Sequence, residues 1–341
     1  MILERARRAV AAGQPCLLVV VTRIAGSAPR EPGALMLVAG DAIEGSIGGG
    51  RLEYEAIAAA RRGLAEGGPP GLRRFALGPE LGQCCGGQAE LAFAPLSADD
   101  LGWLDRWQAA ASGDAPAGVL VRPLAPGRTP AWLQAGEAAP GLPEPVRHRA
   151  LALLAGEADA ASLEQGGVTW LLARSPRPLD RLFLFGAGHV GRAVARAVAP
   201  LPFRLDWLDE RPELVAELAD PRLRLAPDPA LAAAAAPAGA FHLVMTHSHG
   251  RDYEICEAVL RRGGFAFLGL IGSETKRARF ASRLRGAGLS AERVARLTSP
   301  IGLPEIGGKQ PAVIAVSVAA QLVALAEQLR QARPRGAATA P

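Results

Sequence analysis

The stretch RLFLFGAGHVGRAVARAVAP, residues 181–200, decides how the second half of the chain folds. An apolar run leads into a glycine-rich turn, and the turn opens a segment with helical spacing. Gly186, Gly188 and Gly191 form G-x-G-x-x-G in the strand–turn–helix setting that a dinucleotide fingerprint requires. The first glycine permits the tight turn. The second lets backbone approach a phosphate, and the third lets helix pack on strand. The start of the helix then offers free N–H groups and partial positive charge to an anion. Asp209 follows at the end of the next strand, where a ribose hydroxyl would be read, with Asp206 as the alternative. His189, inside the turn, is a candidate for the polar edge of a ligand, against the plainer reading of a solvent-facing helix residue. A phosphate-bearing ligand fits better than a turn without a ligand. NAD has no large advantage over other phosphate ligands.

Outward from this turn, strands and helices alternate. FRLDWLDERPE (203–213), FHLVMTHS (241–248) and FAFLGLIGS (265–273) read as strands separated by helices, the pattern of a mainly parallel, doubly wound sheet. THSHGRD, residues 246–252, looks like the strand end of a metallohydrolase, but its H-x-H-x-x-D spacing has Tyr253 where a further histidine would be wanted, a poor match for such a metal centre. The chain's five histidines are His148, His189, His242, His247 and His249, and none follows the motif. The segment ends a strand beside the glycine turn, so His247 and His249 are expected to line the same crevice. Ser273, ending GLIGS, is expected at the same rim. Lys276 follows it by about one helical turn, and Lys309 lies in GGKQP before a helix starting near Pro311. They are the only lysines in a chain that otherwise uses arginine, which makes both candidates for binding a phosphate.

The first half reads as α+β. Strands CLLVVVT (16–22), GALMLVA (33–39), LRRFALG (72–78) and QAELAFAPL (88–96) surround a helix over 51–64. GSIGGG, residues 45–50, opens that helix; Gly48 and Gly49 make it either a second anion nest or a flexible turn. GQCCGG, residues 82–87, places Cys84 and Cys85 side by side between two strands. Cys16 and Cys256 lie in apolar segments and read as core residues. Adjacent cysteines lack the spacer of a redox C-x-x-C pair, and a disulfide between them is strained. Beyond about residue 98 the signals weaken to a helix over 101–111, the strand AGVLVRPL (117–124) and a Pro/Gly-rich middle. ARSPRPLDR, residues 173–181, reads as a linker. The expected division is 1–175 and 176–332, with a disordered tail over 333–341. The net charge of +5 comes from scattered arginines rather than a basic run, which argues against a nucleic-acid partner. The apolar segment over 311–329 carries Ser317, Gln321 and Glu327, so it reads as a buried helix rather than a membrane span. The start of the chain has no signal-peptide pattern, and a cytoplasmic location is expected.

GSAPREPGALMLV, GSIGGGRLE, GQCCGG, FGAGHVG, THSHGRD, GLIGSETKRARF and SPIGLPEIGGKQPAVIAVSVAAQ occur in this order. Together they resemble the XdhC/CoxI family, over both ends of the chain but not over about 98–178. The resemblance implies an α+β XdhC/CoxI-type domain followed by a Rossmann-like domain, often in a homodimer. It implies a molybdenum-cofactor chaperone, not an enzyme. Such a protein binds molybdopterin, protects it, presents it to a NifS-type cysteine desulfurase and passes it to the molybdenum-binding subunit of xanthine dehydrogenase. On that footing the cofactor's phosphate suits the 186–191 turn. Thiolates suit its soft metal, so Cys84, Cys85, Gly86 and Gly87 become cofactor-binding candidates, with Cys85 the expected metal contact. The alternative is an NAD(P)-dependent oxidoreductase using the Rossmann-like domain.

Overall fold

The computed structural model describes residues 2–66, 71–77, 87–125, 127–137 and 141–332. The chain divides into two compact units, one up to Pro178 and one from Leu179 to Arg333. The sequence-based expectations for Cys84, Cys85, Gly86 and the 333–341 tail lie outside the described residues.

The first unit begins with α1 (Ile2–Ala11), β1 (Cys16–Ala25), β2 (Leu35–Ala39), β3 (Ala42–Gly45), α2 (Gly50–Glu66), β4 (Leu72–Leu77) and β5 (Gly87–Leu96). Its strands form an antiparallel five-stranded sheet in the order β3-β2-β1-β5-β4. The apolar run of β1 is buried on both faces. Leu17, Val19 and Val21 pack with Leu52, Ala56 and Ala60 of α2. Cys16, Leu18 and Val20 pack on the opposite side with α1 and with α3 (Leu101–Ser112). The chain continues through β6 (Gly118–Pro123), β7 (Ala131–Gln134), α4 (Glu144–Leu154), β8 (Ala160–Gln165) and β9 (Val168–Arg174). These strands form a second antiparallel sheet, ordered β7-β6-β9-β8, with α4 against one face. The sequence showed only β6 of this sheet. Its β8–β9 hairpin turns at Gly166 and Gly167, both with positive φ (61° and 72°), the conformation a two-residue hairpin loop requires.

The second unit runs β10 (Asp180–Phe185), α5 (His189–Val198), β11 (Phe203–Asp209), α6 (Pro212–Leu218), β12 (Leu223–Leu225), α7 (Pro229–Ala234), β13 (Phe241–Val244), α8 (His249–Arg262), β14 (Phe267–Leu270), α9 (Glu274–Gly286), α10 (Ala291–Ala295), β15 (Leu297–Thr298) and α11 (Pro311–Ala332). All six strands are parallel, in the order β12-β11-β10-β13-β14-β15. This is the doubly wound 3-2-1-4-5-6 order, whose direction of winding reverses between β10 and β13. Strand alternation divides the core in two. Leu182 and Leu184 pack with α5 and α11, while Phe183 and Phe185 pack with α8 and α9. Among the described residues α11 alone is long and apolar enough to cross a membrane. It is only partly buried: Val318 and Leu322 lie in the core, and Val316 is 61% exposed.

Candidate functional site

The turn after β10 is fixed by backbone crowding. Gly186 has φ +112°, and a Cβ there would sit 2.3 Å from the Met245 carbonyl oxygen. At Gly191 a Cβ would meet the Gly186 oxygen at 2.1 Å. The Gly186 N–H donates to Leu208 O at 2.8 Å, and Trp207 Nε1 donates to Gly186 O at 3.0 Å. Gly188 differs from both. It caps α5 in an extended conformation, and among the described residues nothing lies within 4 Å of where its Cβ would be. The first bond of the helix runs from the Arg192 N–H to Gly188 O, 2.9 Å. The N–H groups of His189 and Val190 ahead of it have no intrahelical acceptor. His189 is exposed at the start of the helix. An anion reaching this terminus approaches over Gly188.

Asp209 occupies the position of a ribose-reading acid, yet its side chain is turned inward. One oxygen accepts from the Ala187 N–H (2.7 Å) and from Arg211 Nη2 (2.8 Å). The other accepts from the Arg211 N–H (3.0 Å) and Nε (2.8 Å). Burial works against its charge, but these hydrogen bonds and the adjacent guanidinium prevail, so its carboxyl lies below the usual range. Four internal donors fill the acceptor sites of a carboxylate. The expectation that Asp209 reads a ribose is therefore not supported by the geometry. Asp206, the alternative, pairs with Arg181 at 2.5 Å and with Arg224.

The strand end after β13 carries a second internal lock. Asp252, 1% exposed, accepts from the Thr246 N–H (3.0 Å), Thr246 Oγ1 (2.8 Å) and Lys276 Nζ (2.7 Å). Lys276 also donates to Ile271 O at 3.0 Å. Its ammonium thus neutralises a buried carboxylate and ties the end of β14 to the start of α8. Ser273 is the N-cap of α9 and accepts from the Lys276 N–H. His247 and His249 remain exposed at the start of α8. His247 Nε2 lies 3.7 Å from Glu210, and Arg251 Nε lies 2.8 Å from the same carboxylate. Sequence reasoning overlooked Glu210 and Arg251, although Arg251 lies inside THSHGRD. Lys309 is exposed at the end of a loop that α11 holds through Ser317 and Gln321, whose side chains accept from the Leu303 and Gly302 N–H groups.

In the first unit the other glycine-rich turn is already filled. Gly48, Gly49 and Gly50 have φ of 129°, 73° and 61°. Glu53 Oε2 accepts from Ser46 Oγ (2.7 Å), Ile47 N–H (3.1 Å) and Gly49 N–H (3.1 Å). The anion in this nest is the chain's own carboxylate. Gly87 is required by strand packing: a Cβ there would meet Ser27 O at 2.4 Å and Ala25 O at 2.7 Å. It pairs with Leu77 of β4 rather than presenting an open face. Nearby, Glu90 is buried and accepts from Thr22 Oγ1 (2.9 Å), Arg74 Nε (2.9 Å) and Ser162. Burial opposes its charge, but the three donors hold its carboxyl below the ordinary value. Both described thiols belong to the core. Burial, with Asp100 nearby, pushes Cys16 up to about 11, and burial raises Cys256 further. Among the described residues no three His, Cys, Asp or Glu side chains are grouped to hold a metal ion.

A model of the XdhC and CoxI family matches residues 9–76, and a model of the XdhC Rossmann domain matches residues 182–322. Uncharacterized protein YqeB of Escherichia coli (strain K12) is 34% identical over 171 residues, 49% of this chain and 31% of that protein. The chain thus spans about a third of the length of this curated relative. A crystal structure described as a xanthine dehydrogenase from Bacillus halodurans superposes with a TM-score of 0.72 at 20% identity, covering 99% of this chain and 98% of that one. At that identity the likeness concerns the fold, and it extends over both units. With both family models matched in order along it, the chain belongs to the XdhC and CoxI family.

Proposed function

We propose that this chain is an accessory protein for a molybdenum hydroxylase of the xanthine dehydrogenase type, and that it carries the molybdenum cofactor. The observation behind this reading is the 186–191 turn in a chain of this family: open at Gly188, with helix-start amides ahead of the first helical bond. A phosphate monoester such as that of molybdopterin needs those amides and no ribose-reading acid. Asp209, saturated by Arg211 and Ala187, favours this ligand over NAD(P). His189 and the His247/His249 pair, exposed at the rim, are the residues proposed to meet the pterin. Cys85, beside Cys84 and Gly86, is the proposed thiolate for the metal. The Bacillus halodurans chain's description as a xanthine dehydrogenase is read as association with that enzyme rather than catalysis. The partners in this scheme are a NifS-type cysteine desulfurase, the molybdenum-binding subunit of the client and a second copy of this chain, in the cytoplasm.

The test incubates purified protein with cofactor released from a molybdoenzyme and follows its retention and transfer to cofactor-free xanthine dehydrogenase. The wild-type protein retains and transfers the cofactor. Cys85→Ser loses retention, and Cys84→Ser is affected less. Tight NAD(P) binding with turnover, and no cofactor retained, would overturn the reading in favour of an oxidoreductase.

A further inference from the structure

An ion pair joins the ends of two strands that are not neighbours. Glu210 directly follows β11, and Arg251 lies in the first turn of α8, after β13. The Nε of Arg251 stands 2.8 Å from Glu210 Oε2. In the sheet β10 lies between β11 and β13, so the pair crosses the carboxyl end of β10, where the chain turns at Gly186. A sheet with this strand order takes its ligand there. The imidazole Nε2 of His247 stands 3.7 Å from the same carboxylate's other oxygen, beyond hydrogen-bonding distance.

The charge arrangement is unusual for a structural pair. A cation at the start of a helix opposes the helix dipole. Arg251 holds that position at α8, with exposed His247 and His249 beside it. Its Nη1 bonds Glu254 at 2.9 Å along the helix. Glu210 is 17% exposed on its side chain, whereas Arg251 is 43% exposed. The carboxylate is sheltered and the guanidinium keeps an open side.

We propose that Arg251 recognises the ligand's phosphate and that Glu210 is its resident counter-anion, exchanged for that phosphate on binding. The inference rests on the reading of the 186–191 turn as a phosphate site and names the side chains that complete it. A guanidinium fork matches phosphate oxygens as it matches a carboxylate. Phosphate arriving over Gly188 competes with Glu210 for Arg251 and is repelled by Glu210. Arg251 therefore strengthens binding and Glu210 weakens it, and their substitutions act in opposite directions. A pair that served structure alone would show no such opposition.

The experiment titrates inorganic pyrophosphate into the full chain, followed by calorimetry and by phosphorus NMR, with melting temperatures recorded for every variant. Glu210→Gln is expected to bind about three- to tenfold more tightly than wild type, and Arg251→Ala about tenfold or more weakly. Arg251→Lys falls between, because it keeps the charge without the fork. The gain from Glu210→Gln shrinks in an Arg251→Ala background, since the two residues are coupled. Equal or weaker binding by Glu210→Gln, unchanged binding by Arg251→Ala, or no pyrophosphate binding by any variant overturns the proposal. The pyrophosphate pattern without cofactor retention rejects the proposed function alone. Cofactor retained with equal affinity by wild type and both variants rejects the inference alone.

Discussion

Two glycine-rich turns lead from a strand into a helix in this chain, and they have opposite fates. In the first unit, Gly48, Gly49 and Gly50 shape a nest whose donors close on Glu53, three residues into α2. In the second unit, Gly186 and Gly191 are fixed by backbone contacts, while Gly188 faces open space. The acid near the second turn, Asp209, takes from that turn only the Ala187 N–H and accepts its other bonds from Arg211. Glycines before a helix thus specify donors; the position of the nearest carboxylate decides whether those donors serve the chain or a ligand. A carboxylate in the first helical turn folds back onto them. One on the neighbouring strand is held to the side by Arg211.

The largest expected effect tests whether the second turn's surroundings are structural or ligand-binding. Lys276→Ala leaves Asp252 charged and buried without its cation, at a cost of about 3–5 kcal/mol in stability. Urea unfolding of the second unit reads this directly. Replacing both partners, Asp252→Asn with Lys276→Ala, recovers part of the loss, because no unpaired charge remains. Were Lys276 a ligand residue instead, its removal would lower cofactor retention with stability unmoved, and the contrast drawn between internal locks and the open turn would fail on this side.

Acid separates the two units. His242 of β13 is 1% exposed, stacks on Phe183 (5.5 Å between ring centroids), and its Nδ1 has no hydrogen-bond partner among the described residues. Burial, with Arg262 nearby, lowers its pKa from 6.5 to about 4. Here the fold holds the neutral form, so between about 6.5 and 4 the unfolded chain binds the proton and the folded chain does not. Stability of the second unit therefore falls as pH drops through that window, by about 3 kcal/mol in all. In the first unit the corresponding group is Glu90, whose folded pKa is depressed. Its contribution is intact above the ordinary value of 4.5 and is lost only as pH falls further, through the folded value. The second unit is expected to melt first on acidification. His242→Phe, which keeps the stacked ring without the titrating nitrogens, flattens the pH 4–6.5 limb; an unchanged limb would show that another group governs it.

How much of this was legible depended on the range of the interactions concerned. The Rossmann-like unit was readable because its signals are local: an apolar run, a glycine triplet and a helical repeat within residues 181–200. The second antiparallel sheet was not, because β7 has four residues and the strands of the β8–β9 hairpin alternate only partly. Gly166–Gly167 was the available clue. The site divided in the same way. Crowding at Gly186 and Gly191 follows from the motif, whereas the partners of its charged residues come from other strand ends. Lys276 finds Asp252, 24 residues away, and Glu210 finds Arg251 across β10. Residue type showed that charges were present at the rim. Strand order determined which of them cancel.

The smallest effects bear most directly on the comparison of the two turns. Glu53→Gln removes the charge that three donors share, and a part-buried pair of this kind contributes about 1 kcal/mol. Its side chain keeps one accepting oxygen, so the helix still forms, and cofactor retention is expected to stay at the wild-type level. Gly188→Ala acts in reverse. Its φ of −68° suits alanine and no atom of the described residues lies within 4 Å of the added methyl, so the stability change is that of an N-cap substitution, about 1 kcal/mol or less. The methyl, however, stands where a phosphate must approach the backbone, and pyrophosphate and cofactor binding both drop. Measured side by side, both variants should shift the melting temperature only slightly, and Gly188→Ala alone should lose the ligand. If Gly188→Ala binds as wild type, the open turn is not the ligand's point of entry, and the two turns differ only in which carboxylate lies nearest.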